Sequence, residues 1–538
     1  MVVSLIRRHA RLEPTILATS GLERVMMGLS MEVAFAMLRA REVTSFGIMY
    51  VAAALRTAGH GVRLVQAVDE RDLMMQLRAE RIDVLALSVT TGLHREYLAW
   101  ARAAKQELGL RTVMGGPHPT FFPEILDDAA LDAVVLGEGE HTAPELLAAL
   151  AANDGRLVPG ARYRHAGQIV AGPLRALEGD LDRLPLPDRE LFFADNAYLR
   201  DFPVKAFLAS RGCPFRCAYC FNGTLRDMYK GLGKSVRLRS PAHVVDEILA
   251  VRRRWPMRVV WFLDANLGAV RPWLQELTTR LRCEVGLPFY CKVRPDQVDA
   301  RLCRILAEGG CSGVGLGIET GDDELRIKVL DRHVTSARIL EACRLLRHHG
   351  IRIMSFNMVG LPGETYAMAK KTLELNVQAR VDYAMTMVFQ PYPRTRLTDY
   401  AIREGWFDGD FDALDDNYYA QSGLREAAPG DRDRLERLQR LLALGVEFPE
   451  VRARIDWLVE RPWQRFYGEL FQIWHHYCFH SRFYDRRVPY LPEALDPRAW
   501  FGRCHSARTP DPSAVDLRLQ ARRRASDGRR GHSTRCGS

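Results

Sequence analysis

Three cysteines lie close together in the stretch SRGCPFRCAYCFN, residues 210–222. Cys213, Cys217 and Cys220 are separated by three and then two residues, and no fourth cysteine lies near them in the sequence. A structural zinc site closes its tetrahedron with four protein ligands. Three thiolates can instead hold a [4Fe–4S] cluster and leave one iron free for a small ligand. The spacing favours such a cluster over an incomplete zinc site or three unrelated core thiols.

The other eight of the eleven cysteines are scattered along the chain. This distribution does not form a disulfide framework and is typical of a protein from a reducing compartment. Hydrophobic residues make up 47% of the chain and charged residues 26%, as in ordinary globular proteins. We find no apolar run long enough to span a membrane and no secretory signal. The sequence therefore predicts a cytoplasmic protein without a membrane span.

The net charge of +10 is concentrated near the end of the chain. Residues 517–538 contain seven Arg and one Asp, which is +6 and leaves only +4 for the remaining residues. We find no basic stripe with interleaved aromatic residues elsewhere, so the charge does not indicate nucleic-acid binding. Residues 511–538 are predicted to be a basic, disordered tail.

Strands and helices alternate in the first part of the chain. Helices are predicted at 46–59, 70–80 and 93–108, and an earlier strand within 14–29, at either PTILAT or RVMMGL. The other predicted strands are GVRLVQA (61–67), IDVLALSV (82–89), RTVMGG (111–116) and LDAVVLG (131–137). Alternating strands and helices predict an α/β fold with a doubly wound parallel sheet. We expect a Rossmann-like domain over residues 1–155.

A Pro- and Gly-rich linker is predicted at 156–203, followed by a second series of strands and helices at 204–395. Six βα repeats fit a partial TIM-like barrel, whose reactive groups gather at the C-terminal ends of the strands. Residues 396–510 are predicted to be a mainly helical domain. The six strands are VKAFLAS (204–210), RVVWFLD (258–264), PFYCKVR (288–294), GVGLGIE (313–319), IRIMSFNMVG (351–360) and DYAMTMVFQ (382–390).

The cysteine loop follows the first of these six strands and matches the C-x3-C-x-aromatic-C signature of the radical SAM superfamily. Cys213, Cys217 and Cys220 supply the thiolates, and Tyr219 fills the aromatic position. The chain resembles this superfamily over roughly residues 205–395. The resemblance implies a [4Fe–4S] cluster whose free iron binds S-adenosylmethionine (SAM). Reductive cleavage of SAM would release a 5′-deoxyadenosyl radical.

The same resemblance suggests which strand ends would contact SAM. Tyr219 would lie beside the adenine, Arg294 would bind the carboxylate and Glu319 would accept hydrogen bonds from the ribose hydroxyls. Asp264 and Asn266 follow the second strand, where the family usually places polar residues near the SAM amino group, although the glycine-glycine-glutamate form of that motif is absent. A turn that can approach the adenine closely is formed by Gly360, Pro362 and Gly363.

Joined to such a barrel, the first domain resembles the cobalamin-binding domain of the B12-dependent radical SAM subfamily. An open parallel sheet binds ligands beyond the C-terminal ends of its strands. The loops there are SVTTGLH, GGPHPT and GEGEHT, which otherwise read as ordinary turns. The D-x-H-x-x-G motif with a histidine ligand for cobalt is missing, so no lower axial ligand is assigned. The predicted cobalamin contacts are Ser88, Thr90, Gly115, Gly116, Gly137, Glu138 and Gly139.

A separate candidate metal site lies in HHYCFH, which contains His475, His476, Cys478 and His480. His476 and His480 are four residues apart and would share one face of a helix. The aromatic residues around them favour simple packing over metal binding.

By resemblance, the favoured activity is a cobalamin-dependent radical SAM methyltransferase acting on an unactivated carbon of a small molecule, in natural-product biosynthesis. One SAM would methylate reduced cobalamin and a second would yield the radical that activates the substrate. Phosphorus is a second possible methyl acceptor, and no catalytic residue of the protein is assigned. An electron donor such as flavodoxin or ferredoxin would be the protein partner.

Two alternatives remain at this stage. The first is a cobalamin-containing radical SAM enzyme that performs cyclisation, ring contraction or oxygen insertion without methylation. The second is a corrinoid or iron–sulfur protein that acts as a sensor or carrier. The sequence contains no motif from which the substrate can be read.

Overall fold

The amino-terminal part of the chain forms a seven-stranded sheet. A computed structural model of the protein describes residues 30–39, 44–414 and 421–483. The strands are β1 (Glu32–Leu38), β2 (Gly61–Ala67), β3 (Val84–Ser88), β4 (Arg111–Gly115), β5 (Ala133–Val135), β6 (Ala161–His165) and β7 (Gln168–Ala171). Their order is β2-β1-β3-β4-β5-β6-β7. The pairs from β2 to β5 are parallel, and β6 and β7 are added antiparallel.

Helices cover both faces of this sheet, and local capping defines several of their ends. Ser45 and Asp69 cap two helices by accepting hydrogen bonds from the backbone N–H groups of Ile48 and Asp72. Gly109, with φ of 66°, ends a third helix in the left-handed conformation. The helices are α1 (Phe46–Thr57), α2 (Glu70–Arg78), α3 (His94–Leu108), α4 (Pro117–Phe121) and α5 (Thr142–Ala152).

Alternate residues of the central strands enter different hydrophobic cores. Val33 and Val84 belong to one cluster, whereas their neighbours Ala34 and Leu85 belong to the other. Because successive side chains of a strand point to opposite faces, the sheet is buried on both sides. The predicted doubly wound sheet is confirmed, and the predicted strands from 61 to 137 are all present.

The sheet also contains strands that the sequence did not indicate. β1 has the sequence EVAFAML and lies at the centre of the sheet, next to β2 and β3. The earlier strand predicted within 14–29 lies outside the described residues. The predicted linker at 156–203 provides β6 and β7 and two one-turn helices, α6 (Glu190–Phe193) and α7 (Ala197–Asp201).

The second series of strands forms a six-stranded parallel sheet with the order β15-β14-β13-β12-β11-β8. The strands of this region are β8 (Val204–Phe207), β9 (Ser210–Arg211), β10 (Arg237–Leu238), β11 (Val259–Phe262), β12 (Phe289–Val293), β13 (Cys311–Glu319), β14 (Arg352–Val359) and β15 (Tyr383–Val388). The two short strands β9 and β10 pair antiparallel outside this sheet. All six predicted barrel strands are present, in sequential order, as expected for a partial barrel.

Helices connect the barrel strands, and their caps explain where several begin. Ser240 caps one helix by accepting from His243 N–H, and Pro241 occupies its first turn, as predicted. Asp299, Thr335 and Thr365 cap three others in the same way. The helices are α8 (Phe221–Met228), α9 (Pro241–Arg254), α10 (Arg271–Arg280), α11 (Ala300–Glu308), α12 (Ser336–His348) and α13 (Tyr366–Ala379).

The last described part is helical, as predicted for the region that begins at residue 396. The side-chain amide of Gln439, on α15, donates to the backbone oxygen of Thr386 on β15 and so ties this region to the barrel. The helices are α14 (Arg396–Arg403), α15 (Asp431–Glu447), α16 (Pro449–Ala453), α17 (Ile455–Val459) and α18 (Gln464–Cys478).

The chain divides into two compact units, residues 1–479 and 480–538. The sheet, the barrel and the helices through α18 all belong to the first unit. The second unit is described only at 480–483, so the tail predicted at 511–538 lies outside the described residues. The predicted domain boundaries within the first unit stay predictions. Throughout the described ranges, every helix is too short or too polar to cross a bilayer.

Candidate active site

The cysteine loop begins where β9 ends. Gly212 has φ of 83°, and a Cβ there would lie 1.9 Å from the backbone oxygen of Ser235, so the backbone passes too close for any side chain. The loop ends at Cys220, which directly precedes α8. Cys217 is buried, whereas Cys213 and Cys220 are half-buried. The loop therefore presents its three thiols beyond the end of the first barrel strand, as the sequence predicted.

Two arginines approach the central sulfur of the loop. Arg294 Nη1 donates to Cys217 Sγ at 3.0 Å, and Arg332 Nη1 lies 3.7 Å from the same sulfur. Asn222 Nδ2 lies 3.5 Å from Cys220 Sγ. Burial raises the pKa of the Cys213 and Cys220 thiols, which favours their protonated form in the chain without a cluster. Because iron binds thiolates, both protons would be released when a cluster forms.

Three thiols in one loop are a donor set that suits a multi-iron cluster. Among residues 30–39, 44–414 and 421–483, no three His, Cys, Asp or Glu side chains come close enough together to hold one metal ion. A four-iron cluster spreads its cysteine ligands over several iron atoms. Cys213, Cys217 and Cys220 would then hold three irons, and the fourth would take a small ligand.

A buried polar network joins the loop to the end of β13. Tyr219 Oη donates to Glu319 Oε1 at 2.8 Å. Arg332 lies 3.8 Å from the same carboxylate and donates to the backbone oxygen of Gly317 at 2.7 Å. Burial, and then the charge of Glu319, raises the pKa of Tyr219 well above its usual value, which keeps the phenol protonated. Glu319 has φ of 69°, and the register of β13 shifts next to it.

A positive φ such as that of Glu319 is uncommon for a residue with a side chain and is typical of functional positions. The structure thus brings Tyr219 and Glu319 together, as expected for residues that serve one ligand. It adds Arg332, which the sequence analysis missed. Arg332 lies in the segment VLDRHVT after β13, where no local pattern distinguishes it from a surface arginine.

The polar residues after β11 have different surroundings. The Asp264 carboxylate accepts hydrogen bonds from Ala209 N–H at 3.1 Å and from the Ser210 hydroxyl, and burial raises its pKa. Asn266 donates to Gln297 Oε1 at 2.7 Å, while its own buried Oδ1 has no partner among the described residues. An unpaired buried acceptor fits a donor such as an amino group. Asn266 therefore fits the predicted SAM contact better than Asp264, which holds the backbone before the cysteine loop.

The guanidinium of Arg294 is already engaged. Its Nε and Nη2 bind the two oxygens of Asp296 at 3.0 and 3.1 Å, and it lies over the ring of Phe215 at 3.7 Å. This fork is the geometry in which arginine binds a carboxylate. The expected bidentate contact with a SAM carboxylate would require the pair with Asp296 to open.

The turn after β14 has the predicted backbone geometry. Gly360 and Gly363 both have φ of 77°, a conformation that favours glycine, and Pro362 is buried between them. Glu364 Oε2 accepts from the N–H groups of Gly360 and Leu361 at 2.7 and 3.1 Å and so holds the turn. Burial raises the pKa of Glu364 to about 8. Glu364 was not predicted, although its place in GLPGET, four residues after Gly360, is the signal that could have indicated it.

Three loops of the seven-stranded sheet surround a cavity of about 360 Å³. Thr90 is exposed and does not line it. The cavity lies in the crevice at the C-terminal ends of β3, β4 and β5, where a doubly wound sheet binds its ligands. The other six predicted cobalamin contacts line it, and they are Ser88, Gly115, Gly116, Gly137, Glu138 and Gly139.

Two of these glycines are required by close packing. A Cβ at Gly116 would lie 2.7 Å from Val89 N, and one at Gly137 would lie 1.7 Å from Tyr229 Oη. Gly115 has more room, since the nearest atom to its Cβ position is 3.7 Å away. The cavity and its glycine rim fit a large ligand that approaches the backbone, as the resemblance to cobalamin-binding domains implies.

Four charged residues connect this cavity to the cysteine loop. Arg237 binds both oxygens of Glu138 at 2.6 and 2.9 Å. Arg211 lies 3.1 Å from Glu138 and also pairs with Glu140. Burial alone would raise the pKa of Glu138, but the hydrogen bonds and charges of the two arginines hold it below its usual value. Arg211, which precedes Cys213 by two residues, lines the cavity as well. Sequence reasoning missed Arg211, Arg237 and Glu140.

In HHYCFH, His475 contacts aromatic side chains. His475 Nδ1 lies 2.7 Å from Tyr383 Oη, and its ring stacks on Phe471 at 5.7 Å. Burial, together with the charge of His476, lowers the pKa of His475 to about 4. These contacts are those of a packed aromatic cluster. His480 belongs to the second unit.

Two family models match the chain: the radical SAM superfamily over residues 207–375 and the B12 binding domain over residues 35–147. The chain is 27% identical over 365 residues to an uncharacterized methyltransferase of Pyrococcus horikoshii, an alignment that covers 66% of this chain and 78% of the relative. It is 25% identical over 370 residues to the anaerobic magnesium-protoporphyrin IX monomethyl ester cyclase of Rubrivivax gelatinosus, covering 65% of each protein.

Among solved structures, the fold is similar to that of TsrM from Kitasatospora setae, a radical S-adenosylmethionine methyltransferase. The TM-score is 0.57 at 17% identity, and the alignment covers 70% of this chain and 76% of TsrM. The matched domains imply a [4Fe–4S] cluster, SAM and cobalamin as cofactors. The chain belongs to the radical SAM superfamily and, because it also carries a B12 binding domain, it is a cobalamin-dependent radical SAM enzyme.

Proposed function

We propose that the protein transfers a methyl group to an unactivated carbon of a small molecule, an intermediate of natural-product biosynthesis. The observation that carries the proposal is the charged bridge between the cavity and the cysteine loop. Arg211 lines the cavity, binds Glu138 and Glu140, and lies two residues before Cys213. A methyl donor in the cavity and a radical source at the cysteine loop, joined in this way, can act on one substrate in turn. The methyltransferase relatives support the same reaction.

When bound, SAM on the cluster supplies a 5′-deoxyadenosyl radical, and cobalamin supplies the methyl group. Cys213, Cys217 and Cys220 would hold the cluster. The free Oδ1 of Asn266 would accept from the SAM amino group, and Tyr219 with Glu319 would orient the ribose and adenine. The Gly360 turn would let the adenine approach the backbone.

The barrel residues also define which protons stay in place. Tyr219, with its raised pKa, stays protonated and donates to Glu319, so one oxygen of the carboxylate is fixed while the other remains able to accept from a ligand hydroxyl. Arg332 balances the negative charge of Glu319 in this buried region. These residues would bind and orient a ligand, and the Tyr219 phenol would keep its proton.

The test uses SAM that carries a deuterated methyl group. The full chain, reconstituted with cluster and cobalamin under anoxic, reducing conditions, is incubated with metabolite extracts of cells that lack its gene. We expect one metabolite to gain a single deuterated methyl group, with 5′-deoxyadenosine and S-adenosylhomocysteine formed together. The variant with Cys213, Cys217 and Cys220 replaced by Ala is the matched control and should give neither the labelled metabolite nor 5′-deoxyadenosine.

A second candidate is a radical rearrangement without methyl transfer, such as cyclisation, ring contraction or oxygen insertion. It is favoured by the similarity to the anaerobic cyclase. This reaction would yield 5′-deoxyadenosine and an unlabelled product, without S-adenosylhomocysteine. If neither 5′-deoxyadenosine nor a labelled metabolite forms, both proposals fail and the sensor or carrier alternative is favoured.

Phosphorus as the methyl acceptor stays a narrower alternative within the first proposal, and the position of the label in the product decides it. A flavodoxin- or ferredoxin-like electron donor and a location in the cytoplasm stay predictions. Reduction of the cluster by each purified donor, followed by its EPR signal, tests the first of them.

A further inference from the structure

The cavity between the loops of the seven-stranded sheet changes in character with depth. At its mouth lie Ser88, Glu138 and Arg211, together with the glycines of the three loops. Val84 begins β3 and Ser88 ends it, and both line the cavity. At about 3.3 Å per residue, the cavity follows this strand for about 13 Å below its C-terminal end.

The deep part is apolar on every side. Val33, Val84 and Val113 form the floor from three neighbouring strands, and Leu55, Leu146 and Leu147 form the walls from α1 and α5. Some side-chain nitrogens and oxygens in the described ranges are buried without a partner, but none belongs to a residue that lines the cavity. The backbone groups of these parallel strands are engaged in the sheet. No donor or acceptor is therefore offered to a ligand group that reaches this depth.

Corrinoids differ in the base at the end of their nucleotide tail. Dimethylbenzimidazole and adenine share an imidazole half, so contacts to that half cancel when the two are compared. The six-membered ring of dimethylbenzimidazole carries two methyl groups, whereas that of adenine carries an amino group and ring nitrogens. Polar groups that lose water without gaining a partner weaken binding substantially.

We propose that the deep part of this cavity selects corrinoids by their lower base, accepting dimethylbenzimidazole and rejecting adenine. The selection rests on the cobalamin cofactor of the family and is independent of whether a methyl group is transferred. Ala86 is the small residue on β3 between Val84 and Ser88, on the same face of the sheet, and it leaves the passage to the deep part open.

The test measures the binding of three corrinoids to the full chain by equilibrium dialysis: cobalamin, its analogue with adenine as lower base, and cobinamide, which lacks the whole nucleotide (phosphate, ribose and base). We expect the adenine analogue to bind about ten- to a hundredfold more weakly than cobalamin. Cobinamide should also bind more weakly, because it leaves the apolar part unfilled. Equal affinities for cobalamin and the adenine analogue would overturn the selection.

Two variants locate the effect within the cavity. Ala86→Leu should reduce cobalamin affinity to that of cobinamide and leave cobinamide binding unchanged. Leu147→Gln places an amide in the wall and should narrow the preference for cobalamin over the adenine analogue at least threefold. Leu150→Gln, on the same helix but outside the cavity, controls for a buried amide and should keep the full preference.

These outcomes separate the selection from the wider assignments. A chain that binds none of the three corrinoids contradicts the cobalamin site itself. A chain that binds all three equally retains that site but contradicts the selection. If Ala86→Leu weakens cobinamide as much as cobalamin, the base does not lie along β3 and the proposal fails. None of these three results depends on the detection of a methylated product.

Discussion

Cys217 differs from the other two cysteines of its loop, because it is buried and receives Arg294 and Arg332 at its sulfur. The two guanidinium groups would donate hydrogen bonds to this sulfur when it holds iron. Cys213 and Cys220, which would be the other two ligands of a cluster, are only half-buried.

Replacing Cys213, Cys217 and Cys220 together by Ala should abolish the brown absorbance of the reconstituted cluster and all reductive SAM cleavage. Cobalamin retention should be unchanged, since none of the three lines the cavity. Absorbance, iron content and 5′-deoxyadenosine are measured after anoxic reconstitution. Cys283→Ala, at an exposed cysteine elsewhere in the barrel, is the control. It should keep the absorbance, the iron content and the formation of 5′-deoxyadenosine. Reductive SAM cleavage by the triple variant would contradict the cluster assignment.

Glu364 gives the protein a stability that depends on pH. Its pKa is about 8 in the folded chain because of burial, against about 4.3 for an ordinary glutamate. Between these values the unfolded chain has lost the proton and the folded chain keeps it. The contribution of Glu364 to the folding stability is therefore complete below pH 4 and is lost as pH rises to about 8.

Thermal unfolding of the full chain between pH 5 and 8 should show this loss, with a slope of up to about 1.4 kcal/mol per pH unit. Glu364→Gln keeps the shape of the side chain and cannot ionise, so the slope should flatten in that variant. An unchanged slope would mean that another group accounts for the pH dependence.

At the scale of elements, the loop after β5 and the short strand β10 are joined by a bidentate ion pair. Arg237 is only 5% exposed in its side chain, and Glu138 is 26% exposed. Removing Arg237 leaves the Glu138 carboxylate with Arg211 as its remaining partner, and the loss of one member of a buried pair costs up to about 3–5 kcal/mol. The pair should therefore hold the two elements together more strongly than a surface ion pair would.

Arg237→Met should lower the unfolding free energy by about 3 kcal/mol, and the double variant with Glu138→Gln should lose less than the sum of the single changes. Denaturant unfolding measures both. Arg254→Met removes an exposed pair with Glu190 and should cost less than about 1 kcal/mol. A loss of that small size at Arg237 would show that the pair is solvated.

Elements and site differ in how far the sequence predicts them. Strands β2 to β5, the six strands of the barrel sheet and the cysteine loop were predictable because alternating strands and helices, and closely spaced thiols, are local patterns. β1 was not predicted, since EVAFAML suits a helix as well as a strand and only its place between β2 and β3 decides. Arg211, Arg237 and Arg332 meet partners from distant segments, and no local spacing indicates such pairs.

At the scale of the whole molecule, the sheet and the barrel are fixed to each other at two further places. Tyr229, at the end of α8, packs against Gly137 of the third loop. Asp412 binds His94 and Arg95 at the start of α3, both at 2.7 Å. With the Arg211 bridge, these contacts join the sheet to the barrel and to the segment after α14, which suits chemistry that needs both the cysteine loop and the cavity.

The apolar cavity makes the ligand-free protein sensitive to hydrostatic pressure. Its apolar deep part holds space that disappears when the chain unfolds, and unfolding then reduces the volume of the system. High-pressure fluorescence should therefore report a more negative unfolding volume for the ligand-free chain than for the cobalamin-bound chain. Ala86→Leu fills part of the space with a side chain. It should therefore make the unfolding volume of the ligand-free chain less negative, as bound cobalamin does.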